Sequence, residues 1–144
     1  MPTINYDDLE KVDTQILLTE ESKSHDSRLQ VELGKRYYRA DGVDFDANKT
    51  VEFYKAAANQ ENDEAQIFLG NLARATNDYE EALKYFEKAA SLGNDKAQYI
   101  LGEMYEHGEG TASNQDNAIE LYQKAAKSGN FLAQEKLKNW NLSW

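Results

Sequence analysis

Apolar residues along this chain recur at helical spacing, and one phrase returns three times: Leu29-Gln30-x-x-Leu33-Gly34, Ala65-Gln66-x-x-Leu69-Gly70 and Ala97-Gln98-x-x-Leu101-Gly102. A partial fourth copy stands at Ala133-Gln134-x-x-Leu137, so successive copies are 36, 32 and 36 residues apart. A second phrase follows each full copy: Phe53-Tyr54-Lys55-Ala56-Ala57-Ala58, Tyr85-Phe86-Glu87-Lys88-Ala89-Ala90 and Leu121-Tyr122-Gln123-Lys124-Ala125-Ala126. Each unit therefore reads as helix A, turn, helix B. A fixed period in this range predicts an α-helical solenoid, because one unit cannot bury its own apolar face and must stack on its neighbours. Gly34, Gly70, Gly102 and the alanine pairs let helices approach closely, and the aromatic pairs fill the remaining space.

Both ends depart from the repeat. Asn5 is placed to cap a helix whose first turn carries Asp7 and Asp8, with Leu9, Val12, Ile16 and Leu17 marking one apolar stripe. The pattern predicts an acidic segment, residues 1–27, whose helix covers the first repeat; the alternative is an acidic arm that folds on a partner or lies in the protein's own groove. The repeats then occupy 28–144, as units of about 29–62, 63–94 and 95–130 followed by a capping helix at 131–140. In that last helix Lys138 replaces the usual glycine, as befits a position where no further unit must dock. Trp140 and Leu142 are expected to pack back on the third unit. Trp144 is a candidate contact with a second chain, which predicts a monomer or a weak dimer through the Trp140/Trp144 region.

These phrases resemble the Sel1-like repeat family, whose pattern is roughly A-x-x-x-L-G-x-x-Y, a glycine-containing loop, then K-A-x-x-W-Y-x-K-A-A-x-x-G. Residues 97–130 carry it best, with Ala97, Leu101, Gly102, Tyr105, Gly108, Gly110, Ala118, Tyr122, Lys124, Ala125, Ala126 and Gly129 in register. The first unit has Leu29 for the opening alanine and a single loop glycine, Gly42. In the middle unit the loop is four residues shorter, and Asn77 to Phe86 looks like the second helix of a tetratricopeptide repeat. The resemblance implies a right-handed α-α superhelix of about three helical hairpins with a capping helix at each end.

Composition adds limits. At 144 residues and 40% hydrophobic content the chain can bury a continuous core. The net charge of -10 and a pI near 4.6 argue against nucleic acid or an anionic membrane as ligand and favour a basic protein partner. Half of that charge precedes the repeats, where Asp7, Asp8, Glu10, Asp13, Glu20, Glu21 and Asp26 face only Lys11 and Lys23. The absence of cysteine excludes disulfides and thiol chemistry and suits a reducing compartment. The opening residues lack a basic region and apolar run, which points to cytoplasmic residence.

Catalytic groups are sparse. His25 and His107 are the two histidines, and neither belongs to a metal-ligand motif. Glu80-Glu81 do not converge on one point, Gly108-Glu109-Gly110 lacks the lysine and hydroxyl of a phosphate loop, and Ser24-His25-Asp26 is adjacency in sequence only. The chain reads as a non-enzyme without cofactor, metal or catalytic residues.

The repeat resemblance implies that A helices line the concave surface and that residues flanking each Leu-Gly pair face a partner. In the first unit these are Arg28, Val31, Lys35, Tyr38 and Arg39. The middle unit supplies Glu64, Ile67, Asn71 and Arg74, the third Lys96, Tyr99, Glu103, Glu106 and His107, and the last helix Glu135 and Asn139. Arg28, Lys35, Arg39 and Arg74 would form a basic end, and Glu103, Glu106 and Glu135 an acidic one, with Tyr38 and Tyr99 as amphipathic anchors. The function implied is a non-catalytic adaptor that binds a protein or peptide on its concave face. Two alternatives share these features: a cytoplasmic immunity protein that neutralises a basic toxin, and a regulatory subunit of an enzyme complex.

Overall fold

All eight described α-helices begin on an aspartate or asparagine whose side-chain oxygen accepts a hydrogen bond from the first turn. The capping residues are Asp13, Asp26, Asp46, Asn62, Asp78, Asn94, Asn114 and Asn130. Each cap satisfies a backbone donor that the helix leaves open, a contribution of about 1 kcal/mol. The computed structural model describes residues 3–144. It shows a 3-10 helix at Tyr6–Lys11, then α1 (Thr14–Ser24), α2 (Ser27–Arg39), α3 (Ala47–Ala58), α4 (Asp63–Ala75), α5 (Tyr79–Ser91), α6 (Asp95–His107), α7 (Gln115–Lys127) and α8 (Phe131–Asn139). No strand occurs among the described residues, and no described helix is long and apolar enough to cross a membrane. The fold is all-α and made of helical hairpins, α2/α3, α4/α5 and α6/α7.

The chain gathers into two compact units that divide after Ala65. In the first, Leu17 of α1 meets Leu29 and Leu33 of α2, with Ile4, Tyr6, Leu9, Val12, Leu18 and Phe53 packed around them. The N-terminal segment departs from the sequence expectation of one helix starting at Asn5. Asn5 caps only the 3-10 helix; Asp8 leaves helical geometry at φ -141°, Val12 is extended, and Asp13 starts α1 afresh. After that restart Leu17 is buried in the core and Leu18 packs against it, while Ile16 is half-buried. The buried Arg36 fastens this segment: its guanidinium donates to Thr14 Oγ1 (2.7 Å), to the carbonyls of Leu9 (3.0 Å) and Glu10 (3.1 Å), and to Glu32 (2.9 Å).

The second unit, Gln66–Trp144, is built on small residues. Ala73, Ala82, Ala89 and Ala97 surround Phe86, Leu101 and Met104. Ala118, Ala125, Ala126 and Ala133 surround Tyr122 and Leu137. Within each hairpin the helix-A glycine receives an aromatic ring from helix B. Gly34 faces Tyr54, Gly70 faces Phe86 and Gly102 faces Tyr122, and a Cβ on any of the three would lie 2.7–2.8 Å from a ring carbon. After α8, Trp140 packs edge-on against Tyr122 at 5.7 Å and Leu142 joins the same cluster, while Trp144 is exposed.

Candidate functional site

The positions beside the Leu-Gly pairs fall on both units, and their local partners differ from what sequence alone suggests. In the first unit Arg28 is exposed, donates to Asp26 (2.9 Å) and lies 3.9 Å over the Tyr6 ring. The hydrogen bond from Arg28 holds the Asp26 carboxyl below the usual carboxylate range. Lys35 pairs with Glu64 at 2.7 Å. Tyr38 is 61% exposed, and Arg39 is exposed and makes no salt bridge among the described residues. Val31, read as facing outward, is buried instead, on the side of α2 away from Leu29 and Leu33.

In the second unit the polar groups form a connected set. Arg74 forks onto Glu109 through Nε (2.7 Å) and Nη2 (3.1 Å) and reaches Glu103 through Nη1 (3.5 Å). The Glu109 contact raises the affinity of the guanidinium for its proton. Tyr99 is half-buried, with its ring 5.5 Å from that of Tyr122. Burial, reinforced by the charge and hydrogen bond of Glu103, pushes the Tyr99 hydroxyl up to about 12. Glu106 accepts from the Tyr122 hydroxyl (2.6 Å) and from Lys136 (2.9 Å). Burial works against its ionisation, but these two hydrogen bonds outweigh that cost and hold the carboxyl below its ordinary value. Lys136 also lies over the rings of Tyr122 (5.6 Å) and Trp140 (5.3 Å). His107 is exposed, its Nδ1 2.9 Å from the Glu103 carbonyl. Glu135 pairs with Lys138 at 3.0 Å, and Asn71 and Asn139 are exposed.

The charge separation read from sequence is therefore not realised in the second unit. Arg74, assigned to the basic end, and Glu103, assigned to the acidic end, share one ion cluster. Sequence reasoning also passed over Glu109 and Lys136 as site residues. For Glu109 a signal existed: it stands 35 residues beyond Arg74, about one repeat, the same separation as the hydrogen-bonded pairs Ser27–Asn62 and Asp95–Asn130.

Around the two histidines the geometry is dispersed. Ser24 donates to the Glu20 carbonyl, the His25 ring is 3.5 Å from Glu21, and Asp26 is taken by Arg28. Among the described residues no group of three or more metal-ligating side chains comes together. The half-buried phenol of Tyr99, the buried phenol of Tyr122 and the Arg74 ion pairs are held in place by their local contacts.

Comparison with known proteins agrees with this architecture. The family profile described as Sel1 repeat matches residues 27–62 and 95–130, and the tetratricopeptide repeat profile matches 63–96. A Sel1 repeat protein from Oxalobacter formigenes superposes with a TM-score of 0.83 at 32% identity, over 90% of this chain and 100% of that one. The c5321 protein, a protective antigen present in uropathogenic Escherichia coli strains and displaying an SLR fold, matches at TM-score 0.81 and 26% identity. That match covers 90% of this chain but 28% of the antigen. Cysteine rich protein B of Helicobacter pylori, at 19% identity and TM-score 0.66 over 88% of this chain and 98% of its own length, shares the fold. No curated protein gives a significant match.

Proposed function

Because this chain belongs to the Sel1 repeat family, we propose that it is a non-catalytic module that binds a protein or peptide through the exposed positions of its A helices. The observation that carries the reading is the Arg74–Glu109–Glu103 cluster beside Tyr99. Charged groups are held in place by multiple hydrogen bonds, next to a half-buried phenol whose ring is fixed against Tyr122. Such groups lose little freedom when a partner arrives, so more of the contact energy remains for affinity. In the first unit Tyr38 and Arg39 offer an exposed aromatic and an exposed guanidinium, residue types that dominate binding energy at protein interfaces.

Site-specific photo-crosslinking tests the proposal and needs no identified partner. A photoreactive residue is placed at Tyr38, Asn71 or His107 on A helices and, separately, at the exposed Lys55, Lys88 or Lys124 on B helices. A single adduct common to the A-helix positions and missing from the B-helix positions is the expected result. Adducts from the B-helix positions alone overturn it.

The net charge of -10 favours a second reading, an immunity protein that occludes a basic toxin. Such a pair associates at rates that fall steeply with salt, whereas an adaptor binds moderately and accepts several ligands. A regulatory subunit would instead use the exposed Trp144, and its removal would release the enzyme.

A further inference from the structure

The loop joining α2 to α3 carries side chains that its fold does not require. Residues 40–46 and 108–114 hold the same place in two hairpins and share one backbone design. Ala40 and Gly108 have φ of 56° and 71°, and Gly42 and Gly110 have 71° and 73°. The Asp46 N–H donates to the Tyr37 carbonyl (3.1 Å) as the Asn114 N–H does to the Tyr105 carbonyl (2.8 Å), and both residues then cap a helix with φ near -147° and -146°. On this common scaffold Asp44, Phe45 and Lys49 stand where the other hairpin has Ala112, Ser113 and Asn117. The turn thus forms without a carboxylate, an aromatic ring or an ammonium group, yet here it displays all three, with Phe45 60% exposed.

These side chains border an open cleft of about 650 Å³ on the surface. Its aromatic side is Tyr37, whose ring stacks on Phe53 at 5.8 Å. Over the Tyr37 ring, 5.0 Å from its centre, lies the chain's own Lys49 ammonium. The ring face thus already holds a cation. Asp46 is committed to its helix cap, but the carboxylates of Asp41 and Asp44 enter no hydrogen bond or ion pair among the described residues. Two carboxylates, Asp44 and Asp46, against the one lysine leave the lining of the cleft negative. The wall behind it is firm: Thr14 Oγ1 accepts from Arg36 and donates to the Asp41 carbonyl (3.1 Å), and Gly42 abuts the Thr14 hydroxyl where a Cβ would overlap it.

We infer that this cleft receives an arginine side chain presented by a protein partner, with Lys49 as the internal occupant that it displaces. A planar guanidinium stacks on Tyr37 or Phe45 and forks onto Asp44, which an ammonium cannot do. An apolar residue beside that arginine covers the exposed Phe45 ring. The site borders Tyr38 and Arg39 on α2 but rests on the loop side chains Asp44 and Phe45 and on Lys49 of α3, none of which is an A-helix position.

The test is an NMR amide titration of the ¹⁵N-labelled chain with the peptide acetyl-Gly-Arg-Leu-Gly-amide and with its glutamine analogue. The arginine peptide is expected to give saturable shifts confined to residues 37–49, and the glutamine peptide none. Lys49→Asn removes the internal competitor and is expected to tighten binding by about threefold. The double variant Asp44→Ala/Phe45→Ser copies the other hairpin, so it keeps the turn, and is expected to weaken binding by roughly tenfold or more. Four results would each overturn the inference: no saturation, shifts scattered over the acidic surface and unchanged in the double variant, weaker binding by Lys49→Asn, or the same amides moving with calcium chloride alone at lower concentration. Photo-crosslinking from Asn71 and His107, which lie outside residues 37–49, would be unaffected by any of these.

Discussion

A Cβ placed on Gly102 would lie 2.7 Å from Cε1 of Tyr122, so it is the missing side chain on α6 that lets the α7 ring seat against the helix. Tyr122 is fully buried there and touches Tyr99 and Trp140 as well. Gly102→Ala gains about 1 kcal/mol in helix propensity but overpacks a rigid contact at a cost of about 1–3 kcal/mol. The expected outcome in urea unfolding is a net loss of stability. The double variant Gly102→Ala/Tyr122→Leu should recover part of it, because the shorter side chain makes room for the methyl group. Stabilisation by Gly102→Ala alone would show that the ring can move aside.

The Arg74–Glu109 pair joins α4 to the loop after α6 by two hydrogen bonds in a partly buried setting. A bidentate guanidinium–carboxylate pair is the geometry in which an ion pair contributes measurably. In a double-mutant cycle with Arg74→Met and Glu109→Gln we expect a coupling energy of about 1 kcal/mol, reduced at high salt. A coupling near zero would mean that Gly110, pressed against the Tyr79 carbonyl, positions the loop by itself.

Arg36 carries four donations to the N-terminal segment and Glu32 while only 4% exposed. Arg36→Met keeps most of the volume but leaves two carbonyls and a hydroxyl short of a donor, at a cost of about 2–4 kcal/mol. The loss should be local. Hydrogen exchange is expected to accelerate in α1, residues 14–24, more than in α6 and α7. Uniform acceleration would instead make Arg36 a determinant of global stability.

Hairpins were legible because their signals repeat: the Leu-Gly pair and the aromatic residue followed by a lysine and an alanine run return about every 32 to 36 residues. The N-terminal segment was less so. Asp13-Thr14 is a helix start in the middle of an apolar stripe, and continuity of the stripe hides a restart that only the dihedral angles of Asp8 and Val12 reveal. Among the candidate site residues, position on an A helix was readable for Tyr99 and Glu103, but not their partners. Glu109 comes from a loop and Lys136 from the next helix A, and pairing across a repeat depends on side-chain reach, which periodicity does not encode. The cleft beside Tyr37 escaped altogether, since the side chains that mark it, Asp44, Phe45 and Lys49, differ from the other hairpin without changing the backbone pattern.

Glu106 gives the stability of the second unit a defined pH dependence. Its carboxylate accepts from Tyr122 and Lys136, and despite burial its proton affinity in the folded chain is below the ordinary value of 4.5. A depressed folded value means that the unfolded chain takes up the proton first as pH falls. The contribution of Glu106 is therefore complete above 4.5 and is lost on acidification through the lower folded value. Tyr99 has the opposite sign: raised from 10 to about 12, it contributes fully below 10 and loses that contribution as pH rises through 12. Glu106→Gln keeps the shape and an acceptor but removes the charge, so at neutral pH it should cost about 1.5–3 kcal/mol, the range for hydrogen bonds to charged groups. Thermal melts between about pH 3 and 6 should then show a shallower acid decline in Glu106→Gln than in the natural chain. Tyr99→Phe, in contrast, should leave the acid side as it was and flatten the alkaline one. Parallel acid limbs for the Glu106 variant and the natural chain would assign the acid sensitivity to other carboxylates, such as Asp26, whose Arg28 partner likewise depresses it.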